Sequence, residues 1–326
     1  MRYLVTGGTG FIGSHLVELL LKNGHNVRVP VRKESSLRYL PVKEKNLELF
    51  NCSFSDRELL RKLCSNIDII FHLAGSTKAP SKKEYFRVNV DFTRNIYIAA
   101  RESGSVSRFI FFSSQASKGS SVGKLGLKEN EFTEPISDYG KSKRKAEEVL
   151  SRISGPNRVI VYLSSVFGPR DRDFLTIFKL VKAGIFPYFG LKKRYINVVY
   201  VKDLVEQLYQ ISLLDKRENW SINIASSSIY TWHSFLGSLS NVMDNKFRLI
   251  HLPSFLQIPF GIYLDILHIL TGSSQALDKD KLNELNKRYW IMDTETLYKK
   301  LEQKERFSLK EGLKETYNWY LNKGWL

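Results

Sequence analysis

The sequence is short of cysteine, of long apolar runs and of histidines at metal-ligand spacing, and each shortage removes a class of function. Cys52 and Cys64 are the only two cysteines. No disulfide framework can staple the chain, and free thiols in a reducing compartment are the expectation. The most apolar stretch, 255–270, is interrupted by Pro259, Gly261, Asp265 and His268. It therefore falls short of the ~20 uninterrupted residues that a spanning helix requires. The opening Met1-Arg2-Tyr3-Leu4-Val5 reads as a strand rather than a secretory leader. A cytoplasmic chain without a transmembrane segment is expected. His233, His251 and His268 stand alone in the sequence, so no metal site is expected.

What is present fits a folded α/β protein. Hydrophobic residues make up 43% and charged residues 25% of 326, which excludes wholesale disorder and suits one large unit or two closely packed lobes. Lys and Arg outnumber Asp and Glu by 50 to 33, a net charge of +17. That surplus favours anionic partners. Lys192-Lys193-Arg194 and Lys299-Lys300 are short basic clusters with no nucleic-acid motif beside them, so no nucleic-acid partner is expected.

The strongest local pattern lies at the start. Tyr3-Leu4-Val5 is a buried-strand pattern, followed by Thr6-Gly7-Gly8-Thr9-Gly10-Phe11-Ile12-Gly13 and then by apolar residues at helical spacing from Ser14 to Asn23. Gly24 stands where a helix ends. Glycine is needed in such a turn for three reasons: to make it tight, to let backbone N–H groups approach a pyrophosphate, and to let helix and strand pack closely. Strand, glycine turn and helix in this order point to a dinucleotide site. The second strand ends Val29-Pro30-Val31 and is followed by Arg32-Lys33, with no acid to bond a ribose 2′-hydroxyl. A guanidinium there grips a 2′-phosphate, so Arg32 favours NADP and leaves NAD open. The other reading of Arg32 is a solvated loop cation.

A second pattern lies mid-chain. Arg108-Phe109-Ile110-Phe111-Phe112-Ser113-Ser114 is a core strand ending in hydroxyls, and Tyr139-Gly140-Lys141-Ser142-Lys143 opens a helix. Tyr139 and Lys143, at i and i+4, share a helical face. A phenol has a pKa near ~10; a nearby ammonium stabilises its phenolate and brings proton exchange towards neutral pH. Ser114 would bond the same substrate oxygen. The spacing alone is weak evidence on so basic a helix. Joined to the glycine turn, it reads as a proton-transfer set.

These residues, with His72-Leu73-Ala74-Gly75, Asn89-Val90-Asp91, Gly168-Pro169-Arg170-Asp171, Tyr200-Val201-Lys202-Asp203 and the ending 308–316, resemble the extended short-chain dehydrogenases/reductases, the NAD-dependent epimerase/dehydratase family. The resemblance covers nearly the whole chain. It implies an α/β fold, a doubly wound parallel (Rossmann) sheet with a smaller α/β substrate-binding lobe. Residues 1–165 would bind the dinucleotide, with segments near 195–225 returning to the sheet edge, and 166–326 would mainly bind substrate. It implies Ser114, Tyr139 and Lys143 as the catalytic triad, with Tyr139 and Lys143 also touching the cofactor. Gly7, Gly10, Phe11, Ile12 and Gly13 would line the pyrophosphate, Leu73 and Ala74 would follow the cofactor, and Asn89 would support the site.

The departures narrow the chemistry. Gln115 and Ala116 replace the acid pair of dehydratases, which argues against water elimination. Ser53 stands where an adenine-side Asp is common, Tyr162-Leu163 where Arg-Pro is usual, and Ile196 in place of an arginine that clamps sugar nucleotides, with Arg194 nearby. The segment 252–270 resembles the lipophilic helix of hydroxysteroid-type reductases; it would wall a greasy pocket, touch a membrane peripherally, or be an ordinary buried helix. The leading expectation is an NAD(P)-dependent oxidoreductase that interconverts a hydroxyl and a ketone on a small, lipophilic substrate. The alternative is a nucleotide-sugar 4-epimerase holding NAD tightly. A non-catalytic sensor is disfavoured by the complete Ser-Tyr-Lys set, and a homodimer is left open.

Overall fold

The computed structural model describes residues 1–214, 218–257, 259, 282–284, 286–302 and 304–326. Most of the segment 252–270 therefore lies outside the described residues, and its expected role with it.

A seven-stranded sheet forms the centre. Its strands are β1 (Arg2–Thr6), β2 (Asn26–Val31), β3 (Leu47–Asn51), β4 (Ile69–His72), β5 (Arg108–Ser114), β6 (Asn157–Leu163) and the strand Trp220–Ile224. In space they run Trp220–Ile224, β6, β5, β4, β1, β2, β3, and every pair is parallel. The order reverses between β1 and β4, so a crevice opens there at the carboxyl ends of the strands.

Alternation of side chains builds a core on each face. Tyr3, Val5, Ile110 and Phe112 join one buried cluster; Leu4, Phe109 and Phe111 join the other. Near-continuous apolar strands are what a parallel sheet covered on both faces requires. Helix α1 (Phe11–Lys22) supplies Leu16, Val17 and Leu20 to the first cluster. Helices α2 (Arg57–Cys64), α4 (Phe92–Ser103) and α6 (Asp138–Ser151) supply Leu60, Leu63, Ile96, Ala146 and Leu150 to the second. A short helix α3 (Lys82–Phe86) leads through a wider turn, Arg87–Asp91, into α4. Another, α5 (Gln115–Lys118), follows β5 directly.

The expected return to the sheet holds for Trp220–Ile224, which pairs with β6. It does not hold for β10 (Val198–Tyr200), which pairs with β7 (Ser165–Phe167) in a separate two-stranded sheet. There Val198, Val199 and Tyr200 are all buried and join the first core cluster, so packing rather than a sheet edge places this strand. Around the cleft, β8 (Ile185–Phe189) pairs in parallel with the strand Arg248–Leu252. β9 (Tyr195–Ile196) lies between the strands Tyr230–Thr231 and Tyr289–Trp290. Helix α7 (Asp173–Lys182) and the helix Trp232–Met243 cover this side, and a C-terminal helix, Leu309–Asn322, ends the fold.

Candidate active site

A cleft of about 990 Å³ opens at the reversal point of the sheet. Its floor is the glycine turn. Gly7 has φ +72°, and a Cβ there would stand 2.9 Å from the Ala74 nitrogen. A Cβ on Gly13 would stand 2.2 Å from the Gly7 carbonyl oxygen. Helix α1 therefore begins as close to β1 as backbone permits. Gly10 is its N-cap and brings no side chain to the first-turn amides, which have no preceding carbonyl to bond. Phe11, Ile12 and Gly13 line the cleft. An uncapped helix N-terminus on a glycine cradle fits a pyrophosphate.

Ser114, Tyr139 and Lys143 line the same cleft. Ser114 ends β5, and its Oγ caps α5 by accepting from the Ala116 N–H at 3.1 Å. Tyr139 and Lys143 lie in the first turns of α6, which starts where Ser137 Oγ accepts from the Gly140 N–H at 3.0 Å. Tyr139 is half-buried, with its ring 6.3 Å from that of Tyr85. Lys143 is buried, and its ammonium lies 4.2 Å from the centre of the Phe111 ring. Burial pushes its pKa down to about 7, and the Glu147 carboxylate one turn away opposes the shift.

Behind Lys143 lies a polar cluster. Glu147 accepts from the Ser113 hydroxyl and, at 3.1 Å, from the Tyr162 hydroxyl. Burial raises its pKa, and these hydroxyls pull the other way. Tyr162, which with Leu163 stands where Arg-Pro is usual, turns its hydroxyl into this cluster, while Leu163 faces the cleft.

The other expected residues divide. Leu73 lines the cleft. Ala74 is not among the lining residues, and its N–H donates to Thr6 Oγ at 3.1 Å. Asn89 lies behind the site, with its amide bonded to the Ser76 backbone and to Ser142 Oγ. Arg32 is exposed and outside the lining set; its N–H donates to Ser35 Oγ at 2.9 Å. Ser53 also lies outside it, bonded to Ser55.

Beyond β2, the cleft is instead lined by Ser36, Arg38 and Tyr39. The sequence reading missed them because this loop has no periodicity to read. The Tyr39 ring has Arg38 4.4 Å from its centre and Arg170 at 5.1 Å. Arg170 is held by Glu18 at 2.6 Å. Asp171 was also missed as a site residue. It is buried in the cleft lining and accepts from the N–H groups of Asp173 and Phe174. Burial, reinforced by Asp173, raises its pKa to about 8.

The opposite wall is apolar: Phe174, Ile177, Leu180, Phe186 and Trp232. Arg194 reaches this wall, but its Nε donates to the Asn286 carbonyl at 3.2 Å and its Nη2 to the Phe189 carbonyl. Among the described residues no His/Cys/Asp/Glu group could hold a metal, and no helix is long and apolar enough to cross a membrane.

Comparison with known proteins matches this geometry to a family. Residues 3–225 match the model of the NAD dependent epimerase/dehydratase family. Over 323 residues the chain is 28% identical to a ceramide reductase of Caulobacter vibrioides, covering 99% of this chain and 95% of that protein. It is 26% identical over 291 residues to the N-acetyl-alpha-D-glucosaminyl-diphospho-ditrans,octacis-undecaprenol 4-epimerase of Escherichia coli O157:H7, covering 86% and 84%. Among solved structures, gox2253 superposes with a TM-score of 0.82 at 23% identity over 100% of this chain and 99% of that one. The UDP-glucose 4-epimerase of Thermotoga maritima gives 0.78 at 23% identity over 99% of each chain. The chain belongs to the NAD-dependent epimerase/dehydratase family, the extended short-chain dehydrogenases/reductases, and is an enzyme.

Proposed function

We propose that the protein is a nicotinamide-dependent reductase of a ketone on a lipophilic, ceramide-like substrate, with NADP as its dinucleotide. The observation that carries this reading is that Ser114, Tyr139 and Lys143 share one cleft with the glycine cradle on one side and an apolar wall on the other. Full-length similarity to a ceramide reductase supports the substrate class.

The glycine turn and the first turn of α1 would hold the pyrophosphate, and Ser36 and Arg38, with Arg32 beside them, would hold the 2′-phosphate end. When bound, the dinucleotide supplies the hydride. The chain's own residues handle the oxygen and the proton. Ser114 Oγ donates to the carbonyl oxygen and fixes it. The Tyr139 hydroxyl gives that oxygen a proton and becomes a phenolate. The Lys143 ammonium, with its charge in a dry setting, stabilises that phenolate. The apolar wall orients the chain of the substrate and excludes water.

The test is NADPH oxidation followed by absorbance, with a 3-oxo-ceramide and a short ketone as substrates. Turnover that is lost in Tyr139→Phe supports the reading. A protein that consumes neither NADPH nor NADH with any ketone overturns it.

The second reading, a 4-epimerase on a nucleotide- or diphospholipid-linked sugar, is favoured by Arg194 in the cleft and by the undecaprenol-linked relative. Against it, the Arg194 guanidinium is already engaged by two backbone carbonyls. An epimerase would co-purify with NAD and show no net consumption.

A further inference from the structure

The four most exposed large apolar side chains among the described residues are Leu125 (90%), Val122 (89%), Leu191 (83%) and Phe255 (74%). They lie on three loops that are far apart in sequence yet tied together beside the cleft. The loop 190–193 leaves the cleft wall after Phe189 and rejoins it at Arg194. The Gly190 N–H donates to the Leu252 carbonyl at 2.8 Å, which brings the loop formed by Pro253 and the short 3-10 turn Ser254–Leu256 alongside. From the loop 121–126, the Ser121 N–H donates to the Tyr289 carbonyl at 3.0 Å, and Lys124 lies 4.8 Å from the centre of the Tyr195 ring.

Isolated apolar side chains on a surface are ordinary; four extreme exposures on linked loops are not. Their charge is one-sided. The three loops and the adjoining 286–288 carry Lys124, Lys192, Lys193, Lys287 and Arg288 and no acid. Apolar tips among cations suit the headgroup region of an anionic bilayer, where the tips bury and the ammonium groups meet lipid phosphates.

We propose that these three loops are a membrane-docking face, seated on an anionic phospholipid surface, through which a lipid substrate enters the cleft. The proposal rests on the lipophilic substrate proposed above. The face joins the cleft through the chain itself: Phe186 and Phe189 line the cleft, and Leu191 follows two residues after Phe189.

The test is flotation of the purified full chain with vesicles of phosphatidylcholine, with or without phosphatidylglycerol. The protein should float with the anionic vesicles, much less with phosphatidylcholine alone, and less in high salt. Lys192→Ala/Lys193→Ala should weaken that binding about 25-fold, roughly fivefold for each charge removed. Leu191→Ser/Phe255→Ser should abolish it. No flotation on any vesicle, or equal flotation by these variants, overturns the face. So does self-association in analytical ultracentrifugation that the same variants remove, since the face would then meet a second copy. Reduction of a short, soluble ketone without vesicles reads only the chemistry. Turnover without flotation overturns the docking face alone; flotation without turnover overturns the reductase reading.

Discussion

Asn89 grips the backbone of Ser76 with both ends of its amide. Its Oδ1 accepts from the Ser76 N–H at 2.7 Å, and its Nδ2 donates to the Ser76 carbonyl at 3.0 Å. The same Nδ2 donates to Ser142 Oγ at 2.8 Å, and Ser142 donates to the Tyr139 carbonyl at 2.7 Å. The loop after β4 is thus tied to the turn of α6 that carries Tyr139. Asn89→Asp keeps the shape and removes both donated bonds in a buried place. It should cost about 2–4 kcal/mol of stability, read by urea denaturation, and lower kcat more than it raises KM.

Gly13 admits no side chain. A methyl group there would overlap the Gly7 carbonyl, which is backbone and cannot yield. Gly13→Ala should cost about 3 kcal/mol and abolish the thermal protection given by NADPH. A variant still protected by NADPH would mean that α1 does not form the pyrophosphate cradle.

Arg32 and Arg38 divide the question of dinucleotide choice, since the one follows β2 directly and the other lines the cleft. If Arg38 grips the 2′-phosphate, Arg38→Ala should weaken NADPH about 10- to 100-fold and leave NADH nearly unchanged. Arg32→Ala should do less. Titration calorimetry with both dinucleotides separates the two residues, and equal affinity for NADH and NADPH in the unaltered protein would remove the NADP assignment.

The Lys143 amine titrates near pH 7 because burial disfavours its charge. Reduction needs the charged amine beside a protonated Tyr139. The kcat/KM for ketone reduction should therefore fall as pH rises through about 7, since this ratio reports the free enzyme. A flat profile from pH 6 to 9 contradicts the role given to Lys143.

His72 is locked neutral. Thr93 already donates to the Asn89 carbonyl, so it accepts from His72 Nε2–H, and Thr6 donates to Nδ1. Burial pushes the pKa down to about 3. The unfolded chain binds the extra proton below about pH 6.5, so this stability is present above that pH and is lost on acidification towards 3. Asp171 acts the other way: its raised pKa of about 8 makes the folded chain hold a proton that the unfolded one releases. That stability is present at low pH and is lost as pH rises through 8. In Tm measurements, His72→Gln should flatten the rise between about pH 3 and 6.5, and Asp171→Asn should remove the fall between about pH 4 and 8.

The glycine turn, the hydroxyl-ended strand and the Tyr139–Lys143 spacing were legible because each depends on neighbours in sequence. Burial of alternating residues such as Tyr3, Leu4 and Val5 on two faces was legible for the same reason. Arg38, Tyr39 and Asp171 were not, because their place in the cleft comes from loops packed against distant chain. Arg38, for example, lies 5.7 Å from the Trp325 ring centre. The pairing of 198–200 with 165–167 rather than with the main sheet is not legible either: an apolar triplet indicates a strand, while its partner is set by contacts between distant parts of the chain.

Local order, then, was written in the chain: strand, glycine turn, helix, and a tyrosine one helical turn before a lysine, all set by steric limits and short-range periodicity. Tertiary structure alone decided which side chains share the cleft, how far burial moves the Lys143 and Asp171 protons, and that Val122, Leu125, Leu191 and Phe255 are left exposed. Those outcomes depend on solvent exclusion and on contacts between residues many positions apart, and no local pattern contains them.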